Sequence, residues 1–155
     1  MPPEEGLPPE RRPRNLDEVR FYVDEDLRPV GAAMMWTRRD VVVCDADLIR
    51  DDLPRGKADE EWIPVVAARG WIAVTGNVEI RRNPVESALA VRSRLRVVCV
   101  HDETGKLTMW AKLALVTRHW SGVEAFVDRH PTGPWWISVT ASGYRELAYS
   151  AISSV

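Results

Sequence analysis

The sequence predicts an α/β domain built on a mostly parallel sheet, and three observations carry that prediction. Short apolar, β-branched runs alternate with helix-spaced segments in the order strand, helix, strand, helix, strand, helix, strand, as parallel sheets with helical crossovers require. The first run, Phe21-Tyr22-Val23, is apolar throughout, as a strand buried on both faces is, and it stops abruptly in Asp24-Glu25-Asp26. A second trio of acids, Asp59-Glu60-Glu61, stands at the start of a helix two connections later. In such a sheet, strand ends and the helix starts that follow them share one edge, so the two trios can converge.

The elements follow in order. Val19 to Asp24 is the first strand, and Leu27-Arg28-Pro29 places a proline where a helix starts, with Val30, Ala33, Met34 and Thr37 on one face. Val41 to Cys44 is the second strand, and Asp45 to Ala58 is a charged loop with Pro54 and Gly56. The next helix opens around Lys57 to Pro64, with Asp59 as its cap, Trp62, Ile63, Val66 and Ala67 as its stripe, and Gly70 as its stop. Trp71 to Thr75 is the third strand, Pro84 to Val91 a helix, and Leu95 to Val100 the fourth strand. A long helix runs from Leu107 to Trp120, with Trp110, Leu113, Ala114 and Thr117 on one side. Ser121-Gly122-Val123-Glu124 matches a capping box, so a second helix or a kink is expected there. Trp135 to Thr140 and Tyr144 to Ala148 flank Ala141-Ser142-Gly143 as a C-terminal hairpin.

With 155 residues the chain fits one domain whose core needs no disulfide or structural metal. A hydrophobic share of 45% and a charged share of 28% are those of a globular chain, and no apolar run is long enough to span a bilayer. Residues 1–17 read as a disordered lead, rich in proline and charge and without the apolar stretch of a secretory signal; residues 18–155 read as the single domain, expected in the cytoplasm. Lys and Arg number 21 against 23 Asp and Glu, which excludes a globally basic nucleic-acid binder but leaves room for a local basic rim. Cys44 and Cys99 read as small buried hydrophobes, and no CxxC pair argues for zinc.

Adjacent carboxylates repel unless a cation or solvent relieves them, and hard oxygen clusters suit magnesium or manganese. Asp24, Asp26 and Asp59 are the first candidates, with Glu25, Glu60, Glu61, Asn77 and Glu79 near them in the predicted fold. Each has a plain structural alternative: a wet strand end for Asp24, helix-dipole placement for Asp59 to Glu61, and turn geometry for Asn77 after Gly76. Asp45, Asp47, Asp51 and Asp52 read as a solvated loop. His101, His119 and His130 are too scattered for a triad, and Val74-Thr75-Gly76-Asn77 lacks the glycine pattern and lysine of a phosphate loop. Of the seven tryptophans, Trp62, Trp71 and Trp110 lie on stripes and read as core, while Trp135 and Trp136 point to opposite faces. Arg81-Arg82, with Arg92, Arg94 and Arg96 beyond them, form a positive stretch suited to a phosphodiester backbone.

Phe21-Tyr22-Val23-Asp24-Glu25-Asp26-Leu27, Asp59-Glu60-Glu61-Trp62-Ile63-Pro64, Arg69 through Asn77 and Gly133-Pro134-Trp135-Trp136 together resemble the PIN-like domains grouped with VapC-type toxin ribonucleases, from about Val19 to Leu147. The resemblance implies a three-layer α/β/α sandwich with a mostly parallel sheet of four or five strands, here with the C-terminal hairpin added. It implies a magnesium or manganese site, cleavage of single-stranded RNA, a cognate antitoxin, a possible homodimer and no membrane. By position, Asp24 looks like the strand-end acid and Asp59, with Glu60 or Glu61 beside it, like the helix acid. The third acid of such domains commonly follows the threonine of the third strand, and Asn77 stands there instead. Together with the residue-level reading, this gives Asp24, Asp59 and Asn77 as catalytic, Asp24, Asp26, Asp59, Glu60 and Asn77 as metal ligands, and, from the positive stretch alone, Arg81 and Arg82 as substrate contacts. An amide brings no charge, so metal affinity is expected to be weaker unless Asp26 or Glu79 compensates. The leading reading is a metal-dependent ribonuclease acting as a toxin. The alternatives are a weakened or inactive PIN-like module acting through protein or RNA binding, and a hydrolase such as a phosphatase on the same fold.

Overall fold

Strands β1 (Phe21–Val23), β2 (Val41–Val43), β3 (Ile72–Thr75), β4 (Arg96–Val100), β5 (Trp135–Thr140) and β6 (Gly143–Leu147) form one sheet in the order β2-β1-β3-β4-β5-β6. The structure, a computed structural model, describes residues 13–153, so residues 1–12 of the expected lead lie outside the described residues. Neighbouring strands are parallel except β5 and β6, which pair antiparallel. The five parallel strands β1 to β5 and the antiparallel β6 make up the expected mostly parallel sheet with its C-terminal hairpin, β5 being registered against β4 from Trp135 to Val139.

Strict alternation along the strands builds two cores. Phe21 and Val23, Ile72 and Val74, Val98 and Val100, and Trp135, Ile137 and Val139 face helices α1 (Arg28–Thr37) and α5 (Met109–Arg129). Tyr22, Val42, Ala73, Val97, Cys99 and Trp136 face α2 (Asp59–Ala68), α3 (Glu79–Arg82) and α4 (Pro84–Arg92). The result is the expected three-layer α/β/α sandwich. Both tryptophans of the Trp135-Trp136 pair are buried, one in each core, and each such side chain stabilises the fold by on the order of 2–3 kcal/mol. Cys44 and Cys99 are buried free thiols. Among the described residues no helix is long and apolar enough to cross a membrane.

Two local expectations fail. Helix α5 is continuous over 21 residues, with Thr108 rather than Ser121 as its cap. Glu124 is instead paired with Arg38 at 3.0 Å, and Gly122 lies where the Tyr144 ring comes in too close for any Cβ. The buried stripe of α5 is Leu115, Val116, Trp120, Val123, Phe126 and Val127, which leaves Trp110 80% exposed although it reads as core. The helix meets the sheet only from its second turn onward, so the aromatic at its start has nothing to pack on.

The connections also depart from uniform handedness. The chain moves from β1 to β2 across the α1 face, and from β2 to β3 and β3 to β4 in the other direction across the α2–α4 face, which are crossovers of one hand. From β4 to β5 it continues in that second direction but packs α5 on the α1 face, so this crossover has the opposite hand. Parallel crossovers are almost always right-handed, which makes this one the left-handed exception. Its consequence is that the α2–α4 face of the sheet has no crossover helix between β4 and β5.

Candidate active site

The strand order reverses between β1 and β3, since β1 leads outward to β2 and β3 leads back toward β4. At such a switch point the two crossovers diverge to opposite faces and leave a crevice at the strand C-termini. Asp24 sits there. Its backbone N–H still donates to Val74 O at 2.9 Å, and the alternation that turns Tyr22 toward α2 turns Asp24 the same way. Its Oδ1 accepts from the Glu25 N–H at 2.7 Å and its Oδ2 from the Thr75 hydroxyl at 3.0 Å, so both β1 and β3 fix the carboxylate. Asp24 is only 8% exposed. Burial pushes its carboxyl up to about 7, Asp26 and Asp59 push the same way, and the two hydrogen bonds pull against them.

Asp26 reaches the same crevice from the turn after β1, and its Oδ2 accepts from the Gly76 N–H at 3.0 Å. Only glycine allows that approach, because a Cβ on residue 76 would lie 2.9 Å from the same oxygen. Asp26 keeps a wet edge, yet desolvation of its carboxyl raises its proton affinity; the Gly76 N–H and Lys112 oppose this and Asp59 adds to it. Asp59 is the first residue of α2; the N-cap is Ala58, which makes no side-chain cap, so Asp59 does not serve as the cap expected of it. Its carboxylate is used otherwise: Oδ1 accepts from Trp62 Nε1 at 2.8 Å and Oδ2 from Asn77 Nδ2 at 3.0 Å.

Asn77 is the stitch between the two halves. Its backbone N–H donates to Thr75 Oγ1 at 3.1 Å, its Nδ2 donates to Asp59, and its Oδ1 accepts from the Glu79 N–H at 3.0 Å. The amide oxygen that was the expected ligand is thus taken up by a turn, and the amide N–H holds an acid in place.

Glu86, on α4, belongs to the cluster and is not found by sequence reasoning. Its Oε2 is buried with no hydrogen-bond partner, and burial raises its pKa, with Asp59 and Glu60 adding charge repulsion and its side chain meeting the Asp59 carboxyl at hydrogen-bonding range. Two carboxylates in that relation hold a proton or a cation between them. The sequence signal was masked: Asn83-Pro84-Val85-Glu86 reads as a helix start, and Asn83 Oδ1 does cap the N–H groups of Val85 and Glu86 at 2.9 and 3.1 Å.

The remaining candidates divide. Glu60 is exposed on the first turn of α2, on the side that faces Glu86. Glu25 turns to the loop, accepting from the Gly56 N–H at 2.8 Å. Of the acids after β2, Asp45 and Asp47 pair with Arg50 and Asp52 with Arg69. Arg81 and Arg82 lie on α3, one turn beyond Asn77, and line a cavity beside the acids; Arg81 Nη1 donates to Ala148 O at 3.1 Å. His130 stacks on Phe126 at the end of α5, away from the crevice.

Among the described residues none of Asp24, Asp26, Asp59 or Glu86 is in an ion pair. Nor do three or more His, Cys, Asp or Glu side chains among them form a ready-made metal cage. The donors still fit a hard divalent cation. They are all oxygens, magnesium ordinarily takes only one or two carboxylates and keeps its waters, and a Glu86 carboxyl that meets Asp59 while its Oε2 stays buried and unpartnered is the arrangement a cation relieves.

An acidic crevice at the switch point of a three-layer α/β sandwich is where such folds bind their ligands. The chain belongs to the PIN-like domain family, whose sequence profile matches residues 19–102, more than half of its length. The matched stretch runs from β1 through β4 and contains Asp24, Asp26, Asp59, Asn77 and Glu86. PIN-like domains are generally nucleases that use divalent metals. No curated protein and no solved structure matches the chain significantly.

Proposed function

We propose that the chain is a ribonuclease that cuts single-stranded RNA with magnesium or manganese, and that it is the toxin of a toxin–antitoxin pair of the VapC type. The observation that carries the reading is the gathering of Asp24, Asp26, Asp59 and Glu86 at one crevice without a cationic side chain paired to any of them. Asp24 and Asp59 hold the cation; Asp26, Glu60 and Glu86 orient its water shell. A divalent cation bound there supplies Lewis acidity and lowers the pKa of water. The Thr75 hydroxyl and the Gly76 N–H keep the carboxylates of Asp24 and Asp26 aimed into the crevice, and Asn77 keeps Asp59 there. Arg81 and Arg82 hold the RNA strand, Arg81 at the phosphodiester beside the acids and Arg82 further along it. Exposed Trp36, Met109 and Trp110 on α1 and α5 support the partner side of the proposal, an antitoxin or a second copy that covers apolar surface.

Purified protein is expected to cut single-stranded RNA with manganese, to stop in chelator, and to lose cleavage and growth arrest with Asp24→Asn. Cleavage that survives this substitution removes the assignment. Asn77 favours a second reading, a weakened module that binds RNA or protein, because its amide oxygen is engaged by Glu79. Absence of calorimetric manganese binding in the native protein would decide for that reading.

A further inference from the structure

The sheet face that carries Asp24 and Thr75 continues across β4, β5 and β6, where no crossover helix lies between β4 and β5; Tyr149 packs over its Trp136 end and leaves the end toward the acids open. What remains is a cavity of about 450 Å³, lined by α3 on one side, by β5 and β6 on its floor, and by His101 and Glu103 just past β4. The floor has a pattern. On β5 the residues facing it run Trp136, Ser138, Thr140, and the register sets Leu147, Arg145 and Gly143 of β6 beside them. On β4 the same face runs Val97, Cys99 and then His101. Each strand therefore changes from apolar to polar toward the edge where the acids sit.

Ser138 shows that this is not incidental. It is 3% exposed and lies between Cys99 of β4 and Arg145 of β6, one step from Trp136, where a hydroxyl is a poor choice beneath a packed helix and a useful one on the floor of a polar groove. The charge is one-sided: Arg81, Arg82 and Arg145 line the cavity against the single carboxylate of Glu103. Among the described residues none of these arginines is in an ion pair. A concave site with unpaired arginines and hydroxyls over an apolar wall takes an anion rich in acceptors, and its volume suits a nucleotide-sized group. The groove is continuous with the acid crevice, since Val78 of its wall follows Asn77, and Cys99 feels Asp26 from one side and Arg81 and Arg82 from the other.

We propose that this groove over β5 and β6 is a second phosphate subsite, which binds the backbone of the RNA strand beyond the phosphodiester at the acids, with Arg82 and Arg145 on phosphate oxygens and the Ser138 and Thr140 hydroxyls beneath. It rests on the reading of RNA as substrate. The floor of the subsite, β5 and β6, lies outside the stretch matched by the family profile, so it belongs to this chain's own C-terminal segment.

The test is fluorescence anisotropy of a labelled single-stranded RNA of mixed sequence on the full chain in chelator, where nothing is cut. Arg82→Ala and Arg145→Ala are each expected to weaken binding about tenfold at low salt and to lower the slope of log K against log salt by about 0.7. Both side chains are exposed, so neither change threatens the fold. Arg145→Lys, which keeps the charge, is expected to retain most of the binding. Unchanged affinity and slope in both alanine variants, or no binding by the native chain, overturns the subsite. The two readings separate cleanly: arginine-dependent binding without manganese-dependent cleavage keeps the subsite and removes the ribonuclease, whereas cleavage with arginine-independent binding does the reverse.

Discussion

Asn77 and Glu86 both meet Asp59, and their chemistry differs in one respect that matters. Asn77 donates to Asp59 Oδ2 at 3.0 Å and so satisfies one of its oxygens, whereas Glu86 brings a second carboxyl and an unpartnered Oε2. Exchanging either residue's charge should therefore move two properties in opposite directions. Asn77→Asp is expected to destabilise the metal-free protein by about 1–3 kcal/mol, because it replaces a hydrogen bond with a like charge, and to tighten manganese binding about tenfold by calorimetry. Glu86→Gln is expected to stabilise the metal-free protein and weaken manganese binding. If both variants bind manganese as the native chain does, neither residue belongs to a cation site. Asp24 and Asp59 were legible in the sequence because a strand end and a helix start each carry a positional signal. Glu86 was not, because a carboxylate three residues after Asn83 has a sufficient local explanation as a helix-start residue. Which way its side chain turns depends on α4 lying against α2, a tertiary fact no spacing contains.

At the scale of elements, the crevice depends on α1 holding β1 from behind. Gly31 of α1 lies so close to the sheet that a Cβ there would stand 2.7 Å from Val43 Cγ2 and 2.9 Å from Val23 Cβ. By helix propensity alone Gly31→Ala stabilises by about 1 kcal/mol; overpacking a tight interface costs about 1–3 kcal/mol and acts on the residue next to Asp24. Packing is expected to win, with a lower urea midpoint and weaker manganese binding in the same variant. A raised midpoint would show that α1 has room the geometry denies it. The elements themselves were largely readable: β1 to β4 lie within one or two residues of the expected apolar runs, and Gly70 ends α2 region with φ +70° as a helix stop should. Helix α5 was misread twice for one reason. Its apolar residues outnumber those its buried stripe needs, so Trp110 imitated core and Ser121 imitated a cap, and only the sheet beneath from Leu115 onward fixes the phase. The hand of the β4–α5–β5 crossover has no sequence signal, because a helix is amphipathic in the same way whichever face it covers.

For the molecule as a whole, the acid crevice sets stability against function, and pH reads the conflict. Asp24 has an ordinary value of 3.8 and is pushed up to about 7 in the folded chain. Below 3.8 both folded and unfolded chains hold the proton, and the site costs nothing. Between 3.8 and about 7 the folded chain holds a proton that the unfolded chain has released, so the contribution of Asp24 to stability falls as pH rises, and above about 7 the full penalty stands. That penalty is at most about 4 kcal/mol, at roughly 1.36 kcal/mol per pH unit. Other carboxylates titrate in the same range, so the measurement is the difference in unfolding free energy between the native chain and Asp24→Asn. Asparagine can accept from the Glu25 N–H and meet the Thr75 hydroxyl, so the comparison isolates the charge. In chelator the native chain is expected to lose ground to Asp24→Asn steadily from pH 4 to pH 7, where the span is the one between the two values of Asp24. With manganese present, the ion binds the ionised carboxylate only in the folded state, which offsets the penalty by linkage and flattens that difference. A difference already flat in chelator means that Asp24 carries no buried charge, and a slope untouched by manganese means that no cation relieves it there.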